Sequence, residues 1–600
     1  MNMVRIRHIM EMRRACKAPP LLPPKLRKEA SESSDRRNIK DILDVNFRIQ
    51  ITNPEKISSG YYYLQLYESQ DAADGPWHLI TETERLDVLE TYDLEDVFAI
   101  EFCFERLQYI RIELAEETEN GKVFRAAEIF SIAQISLSSI NLQLFDLAKF
   151  MIGEIEIWTQ IREKAQPVLM QIEAKNINNK FASSNSNLFV ELYRLDETLQ
   201  KRVLHKTEPL KQSRLIWKPF TVQNEEGSDQ FEICCYSEDE KEGCIGQAIF
   251  TSDAIKTGEP IPMFHETYKS GRKPCGELRI IKHQQLKIFS FLDFLRCGTN
   301  LRFAFAIDFS AREQLSRDEQ LQFANDVDFA VRCIGDAVEP FNSTNSFLSY
   351  GFGAKIPPQY RESNNFCLSL DVEASCQGVG GVIGSFMQCY QRVQPLQSAK
   401  FSQIIYHLAR NAQSSFNREA SYGNYFVLFI ITRGSVDDLK ETVQAAIFSS
   451  KSPISIVFIG VGCDGLDEIE RIGNAGKRLE YQGRKSERDN LQFVNATKTR
   501  LESDNYNEMS SNFIERALGQ VTWQMTSFFM QNHVIPGKGC EDSGSTGSRR
   551  MSSMSRESSS AEQLNLGSSY DDISRTEQRS RRKGLSSDMR SMTIDDSRHF

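Results

Sequence analysis

The feature that most limits what this chain can fold into is a change of hydrophobic period near residue 285. Before it, apolar residues alternate with polar ones in short stretches: VNFRIQI at 45–51, YYYLQLY at 61–67, VFAIEFCF at 97–104, YIRIEL at 109–114, LFVELY at 188–193 and FEICCY at 231–236. Period-two alternation bounded by polar breaks predicts strands that bury one face, as in an antiparallel sandwich. The segment WHLITETERLD at 77–87 has a counterpart in VLHKTEPL at 203–210. That recurrence predicts two tandem copies of one all-β domain, over 41–145 and 150–285.

After residue 285 the strands become solidly apolar: LRFAFAID at 301–308, VLFIIT at 427–432 and ISIVFIG at 454–460. Such runs suit a parallel sheet covered on both faces. Between them Phe323, Val327, Val331, Ile334 and Val338 keep helical spacing, as do Phe401, Ile404, Ile405 and Leu408, then Leu439, Val443 and Ile447. The expectation is a doubly wound α/β domain over 286–535, with its ligand site at the carboxyl ends of the strands. Asp308, Ser310 and Arg312 follow one such end, and Thr432 and Arg433 lie at another.

At roughly 150 residues per domain, 600 residues call for several units. Two stretches cannot supply a core. Residues 1–40 hold eleven Lys/Arg against four Asp/Glu, and 536–600 is a serine-rich tail with basic-flanked serines open to phosphorylation. Both are expected to be disordered. In the first, Pro20, Pro23 and Lys25 form a PxxPx-basic pattern that suits a polyproline-binding module, and the arm's charge equally suits anionic lipid. A mitochondrial address is the third reading of the arm, and Glu11 argues against it.

The longest apolar run, Tyr425 to Thr432, falls far short of the ~20 residues of a membrane span, and the first residues lack a secretory apolar stretch. Thirteen cysteines without a CxxC pair predict a reducing, cytosolic setting and no structural zinc. A net charge of -10 gives no ground for wrapping nucleic acid.

Enzyme signatures are missing. Gly460 to Gly465 satisfies GxGxxG, but it follows a late strand, and Glu480 stands in the polar segment KRLEYQGRK rather than at the end of a second strand. Gly351 to Lys355 is too short for a phosphate loop. His407 and the adjacent Cys234 and Cys235 read as structural residues, so no catalysis is expected, and a nucleotide-binding enzyme using the 460–465 loop is the remote alternative.

Taken together, AIDFSARE, YGFGAKIPPQY, YFVLFIITRG, PISIVFIGVG and ERDNLQFV, with SSNSNLFVELYR, HKTEPL and SRLIWKPFTV upstream, resemble the copines. The resemblance covers about 41–535 and is strongest in the α/β part. It implies two C2-type domains followed by a von Willebrand A-type domain. It also implies binding of acidic phospholipid when calcium rises, protein partners held by the A-type domain, and a cytoplasmic protein peripherally attached to the plasma membrane.

The same resemblance locates the metal ligands, and several are replaced here. In the second sandwich Asn187 and Phe181 stand where aspartates are expected, leaving Glu238, Asp239 and Glu240 on the opposite loop. In the first, Glu116 and Glu117 replace a His-Asp pair. Calcium affinity follows ligand charge, so the calcium sites are expected to be weak or lost. Typical calcium-dependent phospholipid binding through these glutamates and Asp239 is the alternative.

The A-type loop would hold magnesium through Asp308 and Ser310, but Arg312 takes the second hydroxyl position and Arg433 the distant aspartate position. The expectation is a degenerate metal site: either a guanidinium pairs with Asp308 and partners are recognised without metal, or both arginines point into solvent and the site has decayed. No cofactor is certain, and calcium or magnesium would bind weakly.

Overall fold

The computed structural model describes residues 41–536 apart from 52–60, 70–74, 88–90, 147, 164–165, 179–185, 196–199, 223–229, 239–243, 252–257, 266–272, 417–422 and 463–464. Pro20, Pro23, Lys25 and the serine tail therefore lie outside the described residues, as do Phe181, Asp239 and Glu240.

The first sandwich has eight main strands: β1 (Asp41–Ile51), β2 (Tyr61–Ser69), β3 (His78–Glu82), β4 (Thr91–Phe102), β5 (Tyr109–Thr118), β6 (Gly121–Ser131), β7 (Ile140–Phe145) and β8 (Met151–Ile161). They form two sheets, ordered β4-β1-β8-β7 and β3-β2-β5-β6. The second has β9 (Val168–Lys175), β10 (Asn187–Leu195), β11 (Lys201–Lys206), β12 (Phe220–Val222), β13 (Gln230–Ser237), β14 (Cys244–Thr251), β15 (Ile261–Met263) and β16 (Gly276–Gln285), ordered β12-β9-β16-β15 and β11-β10-β13-β14. Adding eight to every label of the first gives the second, so one topology is used twice. Alternation puts Leu64, Leu66, Ile110 and Ile112 in one core and Val190, Leu192, Ile233 and Trp217 in the other.

One boundary read from the sequence needs correcting. Residues 151–161 look like the opening strand of the second sandwich, but β8 pairs antiparallel with β1, Leu43 opposite Ile161, and closes the first. The first sandwich therefore extends past 145, through Ile161.

The α/β part contains a parallel sheet of β17 (Asn300–Asp308), β18 (Ser346–Phe352), β19 (Asn424–Thr432), β20 (Ile454–Gly460) and β21 (Leu491–Asn495), ordered β18-β17-β19-β20-β21. Helices α1 (Ile132–Leu137) and α2 (Phe291–Arg296) precede it. Its own main helices are α3 (Arg317–Val338), α4 (Gly378–Arg392), α5 (Phe401–Ser414), α6 (Leu439–Ser449), α7 (Asp467–Gly473), α8 (Tyr506–Leu518) and α9 (Val521–Gln531). Phe303, Phe305 and Ile307 enter the core with α3, whereas Ala304 and Ala306 face the core with α5 and α6. Helix α3 starts at a capping box in which Ser316 and Glu319 satisfy each other's backbone N–H groups.

The core of the first sandwich continues into the α/β part. Phe104 meets Phe291 and Phe341 at ring-centroid distances of 4.9 and 5.0 Å, and Arg296 donates to the Ser136 carbonyl at 2.8 Å and the Thr159 hydroxyl at 2.7 Å. The second sandwich keeps a separate core. Among the described residues no helix is long and apolar enough to cross a membrane.

Candidate functional site

The parallel sheet reverses its winding between β17 and β19, and such a switch point opens a crevice at the strands' carboxyl ends. Asp308 ends β17 and Thr432 ends β19, and the Thr432 hydroxyl donates to Asp308 Oδ2 at 2.7 Å. The Ser310 backbone N–H donates to Oδ1 at 2.8 Å. Gly353, just past β18, has φ +73, and a Cβ there would stand 2.6 Å from Asp308 Oδ1 and 3.0 Å from the Ala399 methyl. Only glycine permits that conformation and that approach. Gly353 and Ala399 are site residues that motif reading missed, because neither carries a functional group.

Asp308 is fully buried, and burial pushes its carboxyl up to about 6 against the hydrogen bonds from Ser310 and Thr432 and the charge of Arg433. The unfolded carboxyl titrates near 3.8, so the folded state favours the proton. The resulting stability is complete below about pH 4 and is lost as pH rises through about 6. In chelator-treated buffer, Asp308→Asn is therefore expected to remove a decline of up to about 3 kcal/mol between pH 4 and 7. Urea unfolding of wild type and variant at both pH values checks this; parallel pH profiles would contradict it.

The divalent cation implied by the family resemblance does not fit these residues. A hard cation needs several oxygens, yet the single carboxylate here has both oxygens engaged by the chain, and Ala399 offers only a methyl. Among the described residues no cluster of three or more His, Cys, Asp or Glu could hold a metal.

The expected ion pair between Asp308 and a guanidinium is not made at contact distance. Arg433 instead donates from Nη2 to the Ser310 carbonyl at 2.7 Å and lies 4.1 Å above the Phe323 ring, while its charge still acts on Asp308. Its Nε and Nη1, and the Ser310 hydroxyl, are buried. Arg312 is exposed at the rim, its guanidinium beside Gly465.

The glutamates expected in calcium loops are also engaged within the chain. Glu116 and Glu117 lie on β5 rather than in a loop, because the hairpin turns only after Thr118. Glu116 is 3% exposed and accepts from Arg125 Nε at 2.5 Å; Glu117 accepts from Arg85 at 2.7 Å and from the Tyr63 hydroxyl at 3.2 Å. In the second sandwich Asn187 Nδ2 donates to Glu238 Oε2 at 3.0 Å. An amide thus satisfies this glutamate, where two facing carboxylates would call for a cation.

The described part of the glycine-rich loop also directs a donor into the chain. Gly462 N–H donates to Thr497 Oγ1 at 2.7 Å, and the following helix α7 has only seven residues. His407 packs edge-on against Tyr350 at 5.3 Å, and burial pushes the Cys235 thiol up to about 12, which suits structural residues.

Comparison with known proteins finds chains that share parts of this one. Residues 320–537 match the family model described as Copine. Copine family protein 5 of Caenorhabditis elegans is 26% identical over 471 residues, covering 72% of this chain and 64% of the relative, so the chain spans about 64% of that protein's length. Two solved structures are similar over smaller parts. BON1-C2B has 19% identity, 21% of this chain and 94% of that chain covered, and a TM-score of 0.19. The calcium-bound pair of C2 domains from Extended-Synaptotagmin 2 has 13% identity, 41% of this chain and 97% of that chain covered, and a TM-score of 0.16. The fold described above rests on strand order and register, not on these two likenesses. The matched family segment begins inside α3 and runs past α9, taking in Thr432 and Arg433, and over that span the chain is similar to the copines.

Proposed function

We propose that this chain is a copine-like cytoplasmic adaptor that attaches peripherally to acidic phospholipid, at the plasma membrane, through its C2-like sandwiches. Its von Willebrand A-like α/β part holds a protein partner, and the whole works without a calcium switch or catalysis. The observation that carries this reading is the outer row of the segment between β11 and β12. Leu215 and Trp217 point into the core, so Arg214, Ile216 and Lys218 point outward, with exposed Lys211 beside them. Cations flanking an apolar side chain suit an anionic lipid surface, where charge attracts and the apolar group inserts.

The weakened calcium response is supported by Glu116, Glu117 and Glu238, whose carboxylates already have donors from the chain. The N-terminal arm, with Pro20, Pro23 and Lys25, adds a candidate contact for a polyproline-binding module. Flotation of the full chain with phosphatidylserine vesicles in chelator tests the membrane reading. Binding to these and not to neutral phosphatidylcholine vesicles is expected, and absence of binding to either contradicts it.

A further inference from the structure

We infer that Arg433 is the resident cation of the switch-point loops, a guanidinium built into the chain where a divalent ion would otherwise sit, so that the partner-binding face keeps its positive charge without metal. This rests on reading that face as the site for a protein partner. Three observations carry it.

First, the oxygens that would ligate an ion are arranged for something else. Asp308 uses both carboxylate oxygens on the Ser310 N–H and the Thr432 hydroxyl, and the Ser310 carbonyl receives Arg433 Nη2 at 2.7 Å. Second, the guanidinium is held rather than loose. Phe323, carried by α3, lies under it at 4.1 Å, and a ring face stabilises a cation most where water is excluded. Glu319 adds negative potential on the same side, and the Tyr390 side chain hydrogen-bonds the guanidinium.

Third, a site that had simply lost its metal would leave an arginine free to extend into water, keeping its rotamer entropy and its hydration. Here Nε and Nη1 are closed off from solvent, burial that costs free energy and is offset by the charge of Asp308, a side-chain hydrogen bond with Tyr390 and the Phe323 ring. Exposed Arg312 adds a second guanidinium at the rim, beside Gly465.

The test uses the full chain and Mn²⁺ alone as probe, counted by the loss of the free-ion electron paramagnetic resonance signal. Wild type and Asp308→Asn are expected to bind the same amount of Mn²⁺, since any sites elsewhere do not involve Asp308. Arg433→Asp, which exchanges the cation for a carboxylate, is expected to gain about one Mn²⁺ per chain. Adding Asp308→Asn to that variant should remove the gain. A wild-type Mn²⁺ site that Asp308→Asn abolishes overturns the inference, as does a folded Arg433→Asp chain that gains none. Should Arg433→Asp fail to fold, as judged by circular dichroism, the wild-type and Asp308→Asn comparison decides alone. Vesicle binding is not read in any arm, so failure of the adaptor reading would leave this result distinguishable.

Discussion

Arg488→Ala is expected to lower the unfolding free energy by about 3–5 kcal/mol, the largest effect on folding of any single change considered for this chain. Arg488 is 1% exposed, and no acidic side chain among the described residues pairs with it. Its charge is met by dipoles instead: Nη2 donates to the Ser452 carbonyl at 2.7 Å and the Ile454 carbonyl at 2.5 Å, and Nη1 donates to the Tyr425 hydroxyl and the Gln524 carbonyl, both at 3.3 Å. Phe528 faces the guanidinium at 5.1 Å. One side chain thus joins β19, the turn entering β20, and α9.

Truncation would leave a cavity and take one donor from each of three buried carbonyls, and the two losses reinforce each other. Arg488→Lys keeps the charge but not the planar fork, so it should recover part of the loss and not all of it. Urea unfolding of the full chain measures both variants, and an Arg488→Ala chain within about 1 kcal/mol of wild type would contradict this account.

The second large effect concerns membrane attachment. Replacing Lys211, Arg214 and Lys218 together by Gln is expected to weaken binding to phosphatidylserine vesicles roughly a hundredfold, at about 1 kcal/mol per basic residue near the surface. All three are exposed and sit beside the exposed Ile216, so the change should leave the Trp217 core and the unfolding curve unaltered. The effect should shrink as salt rises, because screening removes most of what the charges contribute. Unchanged affinity at low salt would mean that another face meets the lipid.

Much of the fold is legible in the sequence, for a physical reason that also marks where legibility stops. β17, β19 and β20 are readable because both faces are buried, which leaves little room for polar residues within the run. β18 is not, since Ser346, Ser349 and Gly351 break its apolar pattern. β8 has a clear alternation but reads as part of the wrong sandwich, because pairing with a strand as distant as β1 leaves no trace in local period. The seam of Phe104, Phe291 and Phe341 is equally silent, as a phenylalanine buried between units looks like any core phenylalanine.

The candidate site divides along the same line. Asp308, Ser310 and Arg433 can be found from the strand ends, but where the Arg433 guanidinium goes cannot. Its acceptor is the backbone carbonyl of Ser310 and its platform is a ring on α3, neither of which a motif records. The glutamates of the first sandwich show the converse error: their charge is plain in the sequence, and the Arg85 and Arg125 side chains that engage it are not adjacent to them.

A single idea runs through these sites: donors of the chain stand where metal ions would act, Asn187 beside Glu238, Arg85 and Arg125 beside Glu117 and Glu116, and Arg433 beside Asp308. Co-sedimentation of the full chain with phosphatidylserine vesicles, across a calcium titration starting from chelator, tests that idea most directly. Binding already present in chelator and unchanged by calcium is the predicted result. Binding that appears only as calcium is added would contradict it.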